Sequence, residues 1–406
     1  YLLASAVFLL PIGRVADIYG RKKILLLGII IFTVFSFLLA IATSSALIIA
    51  LRALQGLGSA MIFGTGVAIL TSAFPARERG RALGINVASV YLGLSLGPFL
   101  GGILTESFGW RSIFLINVPL GLIVIFMILW KLKGEWAEAQ GEKFDFTGSI
   151  IYGISLISFM YGLSILPDLS AVWFLAIGVL CLLAFIWWEM KSSSPILNLN
   201  LIRRNMVFAF SNIAALINYS ATFAVAFLLS LYLQYTQGMS AQTAGIILIA
   251  QPIVMAIVSP LAGRLSDKIQ PRIIASLGMA LTAAGLLYFS FIDADTTIAV
   301  IILGLVIVGL GLALFSSPNT NAIMSSVENK YYGVSSAILS TMRMVGNILS
   351  MGIVTVLFAV FIGRVEITPE YYAPFLDSMK VTFVVFAVLC FLGIFASLAR
   401  GRLRRL

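Results

Sequence analysis

Long apolar runs, broken by short polar segments, repeat along the whole chain. A helix needs about twenty apolar residues to cross the ~30 Å hydrocarbon core of a bilayer, whereas a membrane strand alternates in character over about ten. The pattern therefore predicts an all-α, polytopic membrane protein. Thirteen spans are predicted, at 1–13, 24–43, 46–73, 82–104, 112–130, 147–166, 171–189, 206–233, 241–262, 272–292, 297–318, 333–362 and 380–399.

The composition agrees with a membrane protein. Of the 406 residues, 61% are hydrophobic and 10% are charged, against about 45–50% and 25% in soluble domains. The sequence contains no His, and Cys181 and Cys390 both fall inside apolar segments, where cysteine acts as a small packing residue. We therefore expect no metal site and no cofactor.

The basic residues are distributed unevenly between alternate loops. The loops 14–23, 74–81, 131–146, 190–205, 263–272 and 319–332, with the C-terminal tail, hold 21 of the 26 Lys and Arg residues. The opposite loops hold Arg111, Arg364 and Lys380. By the positive-inside rule, the basic loops and the C-terminus are expected in the cytoplasm, and the protein in the cell membrane. Because topology accounts for the net charge of +10, we expect no nucleic-acid partner.

The sequence contains an internal repeat. "GRVAD" at 13–17 recurs as "GRLSD" at 263–267, and Gly80 and Gly333 stand at equivalent positions before their spans. The separation of the two copies along the chain predicts two homologous six-helix bundles. Six helices with loops need only about 200 residues. The copies lie further apart than this, and the extra residues predict two inserted helices. The expected domains are a bundle at 1–130, the inserted helices with their flanking loops at 131–205, and a bundle at 206–406.

The first span runs from outside to inside, because a basic loop follows it. One further span before residue 1 would give fourteen helices with both termini in the cytoplasm. We expect such a span.

Five motifs, in order, resemble the major facilitator superfamily, and in particular its fourteen-helix drug:proton antiporter branch. "GRVADIYGRKK" (13–23) resembles the loop between the second and third helices, "LRALQGLGSA" (51–60) the fourth-helix motif, and "GLSLGPFLGG" (93–102) the fifth-helix antiporter motif. "GWRSIFLINVPLG" (109–121) and "YLQYTQGMSAQTAG" (232–245) resemble features of that branch. The resemblance implies two six-helix bundles plus two extra helices. It also implies a secondary exporter of amphipathic, cationic or hydrophobic compounds, driven by proton antiport.

The resemblance implies a conformational latch at Gly13, Asp17 and Arg21, with a second copy at Gly263 and Asp267. A carboxylate at this helix end can pair with the nearby arginines or with the N-terminus of a neighbouring helix. Such a bond can break when the two halves rock apart. The alternative is that these residues only set the topology.

Two arginines lie within predicted spans, where a charge costs several kcal/mol unless it faces a partner or water. For Arg52, the resemblance implies a cavity-facing residue that acts on the proton-carrying site. The alternative is snorkelling to the outer headgroups. Arg343 is a candidate for the substrate cavity, and snorkelling toward the cytoplasmic side is its alternative.

Gly93, Gly97 and Gly101 recur every four residues on one helix face, with Gly102 beside them and Pro98 bending the helix. Small residues let membrane helices approach closely. We therefore expect this glycine stripe to pack against a helix of the other half, so that a bulky residue at Gly97 or Pro98 would push the halves apart. The resemblance implies that the stripe seals the transporter against leak and favours exchange over symport. Ordinary packing, with no bearing on transport direction, is the alternative.

No Asp or Glu of the sequence lies in the middle of a predicted span, and Glu106 comes nearest to a cavity position. The resemblance implies a membrane Asp in the helix before residue 1. Polar residues in or near spans are candidates for the substrate cavity; the alternative is that many of them only bond helices together. They are Asn86, Tyr91, Asn212, Asn218, Tyr219, Gln251, Asn319, Asn347 and Arg343.

Other functional classes explain the sequence less well. A metabolite or peptide carrier of the same fold, with uptake or uniport direction, remains the alternative transporter. An enzyme, receptor or ATP-driven pump is disfavoured, since the loops are too short for a folded domain and no Gly-Lys phosphate loop is present. An ion channel would not explain the paired repeat. The expected partners are a small-molecule substrate, protons and lipid, and we expect a monomer.

Overall fold

The computed structural model describes residues 1–363 and 368–401, apart from the side chains of Pro98 and Phe99; Arg364 and the tail beyond residue 401 lie outside it. Within those ranges the chain is helical, and 13 helices are long and apolar enough to cross a membrane, as predicted. They are α1 (Leu2–Tyr19), α2 (Arg21–Ala40), α3 (Ser45–Ala73), α4 (Arg79–Phe108), α5 (Ser112–Lys131), α6 (Phe146–Ser164), α7 (Ser170–Lys191), α8 (Met206–Thr236), α9 (Ala241–Lys268), α10 (Pro271–Phe289), α11 (Ile298–Ser325), α12 (Tyr332–Phe361) and α13 (Tyr372–Ala399).

Several helices continue beyond the apolar runs that predicted them. At the end where the basic loops lie, here called the basic end, α1, α9 and α11 extend into segments predicted as loops. Polar side chains in these extensions have partners: Asn321 Nδ2, for example, donates to Ser266 Oγ at 2.9 Å. At the opposite end, here the outer end, α13 begins at Tyr372 rather than at 380. A polar residue ends an apolar run without ending the helix.

The apolar side chains divide between a core and a lipid-facing surface. Phe289, Phe383 and Phe386 are fully buried among the helices that follow residue 206. Trp173 and Phe126 are instead 74% and 64% exposed. Large exposed apolar surfaces of this kind suit a protein surrounded by lipid.

The two repeats meet through equivalent helix pairs. α1 packs against α12, and α4 packs against α9. Because α1 corresponds to α9 and α4 to α12 in the repeat, each half contributes one member of each pair. The contact between the halves therefore has the pseudo-twofold relationship that the repeat predicts.

The inserted helices α6 and α7 pack on each other, and α6 also contacts α1 and α12. Tyr152 Oη on α6 lies 3.1 Å from Thr341 Oγ1 on α12. The pair thus lies beside the seam where α1 and α12 meet. The domain boundaries at 131 and 205 stay a prediction.

The connector 132–145, between α5 and α6, is held against the turn that joins α1 to α2. Glu135 accepts the backbone N–H groups of Lys22 and Lys23, in the first turn of α2, at 2.8 and 3.2 Å. Arg14 forms an ion pair with Glu142. The connector therefore covers the basic end of α1.

Candidate gate and transport site

The carboxylate of Asp17 lies at the start of a helix from the other half. Its Oδ1 accepts the N–H of Gly333 at 2.8 Å, and its Oδ2 accepts the N–H of Val334 at 3.0 Å. Both amides belong to the first turn of α12, where N–H groups have no partner within the helix and the helix dipole is positive. Asp17 thereby joins α1 to α12, and the side chain is fully buried.

Arg21 completes this contact. Its Nε and Nη2 donate to Asp17 Oδ1 at 2.9 and 2.6 Å, and its Nη1 donates to Ser72 Oγ on α3 at 2.8 Å. Arg21 also donates to the carbonyl of Asn329 and lies over the ring of Tyr332 at 5.4 Å. One guanidinium thus connects α1, α3 and the segment that leads into α12.

Asp267 makes the same contact in the second repeat. Its Oδ1 accepts the N–H of Gly80 at 2.8 Å and its Oδ2 accepts the N–H of Arg81 at 3.0 Å, in the first turn of α4. We call the Asp17–α12 contact the first latch and the Asp267–α4 contact the second latch. Each half supplies the carboxylate of one latch and the helix start of the other.

Glycines allow the backbones to touch beside both latches. A Cβ added at Gly13 would lie 2.6 Å from the carbonyl oxygen of Gly333, and one at Gly263 would overlap the carbonyl oxygen of Gly80. A Cβ at Gly84 would lie 2.5 Å from the carbonyl oxygen of Ser259. Real Cβ atoms do not come this close to backbone atoms. The glycine of each "GR" motif is therefore required for the helix crossing.

The glycine stripe of α4 has different surroundings. A Cβ added at any of its four positions would meet nothing within 4 Å. Those positions are Gly93, Gly97, Gly101 and Gly102. The expectation of close packing is therefore wrong for this conformation, because α4 contacts α9 at Gly80 and Gly84, nearer its basic end. The side chain of Pro98 lies outside the described residues.

A polar centre lies deeper in the protein, between α4, α8, α11 and α12. The guanidinium of Arg343 lies 5.2 Å from the ring centroid of Tyr219, and its Nη2 lies 3.5 Å from Thr320 Oγ1. Tyr219 Oη lies 3.3 Å from Ser316 Oγ, and the phenol of Tyr91 on α4 interacts with that of Tyr219. Both repeats therefore contribute to this centre.

Arg343 stands far from either end of its helix. It lies eleven residues after Tyr332, the first residue of α12, which is about 17 Å along a helix. Its side chain packs on Tyr219 in the interior. In this conformation Arg343 does not snorkel to the basic end.

Several buried polar atoms near this centre have no hydrogen-bond partner among the described residues. They include Arg343 Nε, both amide atoms of Asn218 and Asn347 Oδ1. Asn347 also lines a cavity of about 270 Å³, together with Phe223, Met344 and other apolar residues of α1, α6, α8 and α12. A mostly apolar cavity with a few free polar groups is typical of a ligand site.

The other candidate cavity residues have different surroundings. Asn319 is a tie between helices: its Nδ2 donates to the Ser211 carbonyl at 3.1 Å, and its Oδ1 accepts from Arg400 at 2.9 Å. Since both ends of this amide are occupied, Asn319 bonds helices together in this conformation, which is the alternative that the sequence left open. Asn86 and Gln251 are half-buried, and neither takes part in the two hydrogen bonds of Tyr219 and Arg343.

Ser316 and Thr320 face Tyr219 and Arg343, and neither was predicted from the sequence. Arg400 was also not predicted as the partner of Asn319. The sequence feature that could have revealed Ser316 and Thr320 is the polar run "SSPNTN" at 316–321, which ends an otherwise apolar span.

Arg52 lies seven residues into α3, about 10 Å from its start. Its Nη1 donates to Gln55 Oε1 at 2.8 Å, and Gln55 Nε2 donates to Ser36 Oγ on α2 at 2.8 Å. The guanidinium lies 4.6 Å from the ring centroid of Tyr1 and 5.6 Å from that of Phe114. The rings of Tyr1 and Phe114 and the amide of Gln55, all in the first repeat, thus hold Arg52 at membrane depth.

The comparisons with known proteins agree with this architecture. The family model for the Major Facilitator Superfamily matches residues 1–206 and 211–405. The riboflavin transporter RibZ of Clostridioides difficile is 30% identical over 397 residues, covering 97% of this chain and 86% of that protein. The multidrug resistance protein Stp of Mycobacterium tuberculosis is 31% identical over 373 residues, covering 89% and 68%.

A solved structure shares the fold at lower identity. The human organic anion transporter MFSD10 superposes with a TM-score of 0.71 at 15% identity, covering 98% of this chain and 82% of that one.

The multidrug transporter protein MdtP of Bacillus subtilis is 28% identical over 396 residues, covering 95% of this chain and 72% of that protein. With the family model matched along nearly the whole chain, the protein belongs to the Major Facilitator Superfamily and is a membrane transporter, not an enzyme.

Proposed function

We propose that the protein is a secondary active exporter of amphipathic small molecules, working by alternating access and proton antiport. The observation that carries this proposal is the pair of latches, in which Asp17 and Asp267 each cap a helix of the opposite half. Rocking the halves apart at the basic end breaks four N–H···O bonds to carboxylates. A hydrogen bond to a charged group is worth about 1.5–3 kcal/mol net, a scale that substrate and proton binding can offset.

The side toward which the described conformation is closed follows from the topology that we propose. Because basic loops face the cytoplasm, the latched end is cytoplasmic and the described conformation is closed toward the cell interior. The C-terminus then lies in the cytoplasm of a cell-membrane protein. In the opposite conformation, the glycine stripe of α4 approaches the other half and closes the outer end. This gives the stripe its sealing role without requiring contact now.

The names of the relatives support a drug-like substrate. Stp and MdtP are multidrug proteins, and a tetracenomycin C resistance and export protein from Streptomyces glaucescens is 30% identical over 378 residues. The riboflavin transporter RibZ supports the second candidate, a carrier for a heteroaromatic metabolite. Both candidates use the same latches and differ in what the central cavity accepts.

Arg52 is our candidate for proton coupling. Its charge is held in place by Gln55 and two aromatic rings. A fixed positive charge favours the ionised form of a nearby carboxyl and so promotes release of its proton. Arg52 thus acts as a positioning charge and does not itself carry the proton.

Transport by the purified protein in proteoliposomes tests the proposal. Export of at least one of the fluorescent probes ethidium, a cation, fluorescein, an anion, and riboflavin should depend on an imposed pH gradient, and each cycle should move protons in the opposite direction. A rate that does not respond to the gradient would rule out proton antiport. Uptake rather than extrusion, in vesicles of defined orientation, would favour the carrier alternative.

A further inference from the structure

The charge of Arg343 has no counterion among the described residues. Arg343 forms no ion pair with an Asp or Glu there, and its Nε is buried without a hydrogen-bond partner. Its contact with Thr320 Oγ1, at 3.5 Å, is at the limit of a hydrogen bond. An arginine at membrane depth is costly unless something compensates it. The forked guanidinium therefore has donors available for a ligand.

The groups around Arg343 are neutral. They are the phenols of Tyr219 and Tyr91 and the hydroxyls of Thr320 and Ser316. Hydroxyls and phenols can donate hydrogen bonds to an anion. Neutral hydrogen-bond donors beside a guanidinium without a counterion make a site that stabilises a negative charge and repels a positive charge.

A cavity begins one helical turn away from this centre. Asn347 lies one turn beyond Arg343 on α12, and Phe223 lies one turn beyond Tyr219 on α8; both line the cavity of about 270 Å³. The remaining lining is mostly apolar and includes Met344. A ligand with its polar group at Arg343 would place an apolar body in this cavity.

We infer that the centre of Arg343, Tyr219 and Tyr91 binds an anionic group of the substrate, and that the transported compounds are anionic amphiphiles with a ring system. This inference rests on the proposed transport function and reverses the expectation of a cationic substrate. A carboxylate, sulfonate or phosphate accepts the two N–H groups of one side of the guanidinium. The tyrosine rings supply flat apolar surface for the adjoining ring.

Selection against cations follows from the same geometry. A cation at the centre would meet the charge of Arg343 at short range, since no Asp or Glu of the described residues forms an ion pair with Arg343. Specificity of this kind comes from the repulsive element as much as from the attractive one.

Two dyes with the same xanthene skeleton and opposite charge test the inference. Fluorescein is an anion and rhodamine 6G is a cation at pH 8. Their binding to the purified protein in detergent is measured by fluorescence polarisation. The wild type should bind fluorescein at least about tenfold more tightly than rhodamine 6G, as expected when one charged pair decides the preference.

Variants of Arg343 separate a binding role from a structural one. Arg343→Gln should weaken fluorescein binding by about tenfold or more while leaving rhodamine 6G binding equal or tighter, and Arg343→Lys should be intermediate. Lys191→Gln is the matched control, because it removes one exposed charge at the end of α7 and should leave both affinities unchanged. Equal loss of both dyes in Arg343→Gln would overturn the inference.

The wild-type comparison decides the question even if a variant does not fold. Tighter binding of rhodamine 6G than of fluorescein would contradict the inference and would leave export by alternating access standing. Failure of proton-driven transport in proteoliposomes would count against the proposed function, and the preference for fluorescein in detergent would still be measurable. The two results are therefore distinguishable.

Discussion

Asp17 and Asp267 occupy equivalent positions in the two repeats, and each accepts two backbone N–H groups from the first turn of a helix in the opposite half, at 2.8 and 3.0 Å in both cases. The backbone donors stand at equivalent positions, Gly333 and Val334 in one latch and Gly80 and Arg81 in the other. Because each half contributes a carboxylate and a helix start, neither latch can open without a movement between the halves.

Replacing either carboxylate should favour opening of the basic end. Asp17→Asn and Asp267→Asn keep the size of the side chain but remove the charge that faces the helix dipole. The expected loss is about 1–2 kcal/mol per latch, which shifts the conformational equilibrium by about 5–30-fold. Reactivity of a cysteine at Ser336, buried at the interface beside the first latch, measures the shift with a water-soluble maleimide.

Glu78→Gln is the control for the latch variants. Glu78 is exposed and lies just before α4, at the same end of the protein as Asp267. Its replacement should leave the maleimide rate at Ser336→Cys unchanged. Equal rates in Asp17→Asn, Asp267→Asn and Glu78→Gln would show that the latches do not hold this end closed.

A side chain added between the crossing helices should destabilise the described conformation. Gly263→Ala places a Cβ against the backbone of Gly80, and overpacking of this kind costs about 1–3 kcal/mol. The protein in detergent should unfold at a lower temperature than the wild type. Gly93→Ala, on the open glycine stripe, is the matched control and should unfold at the wild-type temperature.

The glycine stripe should matter in the opposite conformation. A Cβ at Gly97 would meet nothing within 4 Å here, so we expect Gly97→Leu to fold and to bind substrate in detergent with the wild-type affinity. If the stripe closes the outer end during the cycle, the added bulk blocks that step and export from proteoliposomes falls at least about tenfold. Wild-type export by Gly97→Leu would contradict the sealing role.

The membrane architecture could be predicted because a bilayer imposes simple rules on a sequence. Apolar length predicted all thirteen helices, and the repeat predicted that helices of the two halves would pair with each other. The orientation that the loop charges indicate stays a prediction. The helix ends were less predictable. Asn321 lies in a segment predicted as a loop, yet it is helical because its amide bonds to Ser266, a partner from another helix that sequence spacing does not reveal.

Arg52 should influence proton release if it faces the coupling site. Removing its charge in Arg52→Ala should raise the pH at which substrate binding releases protons, because a nearby carboxyl then holds its proton more tightly. Arg52→Lys should restore this only in part, since an ammonium cannot reproduce the contacts of the guanidinium. Proton release in detergent across pH 5–9 is the measurement. Arg111→Gln, at the outer end, is the control, and identical curves for all variants would exclude the role.

The candidate site was less predictable than the fold. Asp17 was predictable from its motif, but its partners Gly333 and Val334 lie more than 300 residues away in the chain. The sequence placed Asn319 and Arg343 together among the cavity candidates. The structure separates them, because Arg400 and Ser211 occupy the amide of Asn319 while Arg343 Nε has no partner. Which polar side chain finds a hydrogen-bond partner is decided by how the helices pack, and the sequence does not show this.

The distance between the two halves at the basic end tests the account most directly. Spin labels at Arg77 and Glu328, exposed residues before α4 and α12, in a Cys181→Ala, Cys390→Ala background report this distance by pulsed electron paramagnetic resonance. We predict one short distance for the protein with intact latches, and a second, longer population when Asp17→Asn and Asp267→Asn are combined. The same single distance in both proteins would contradict the claim that these carboxylates close the gate.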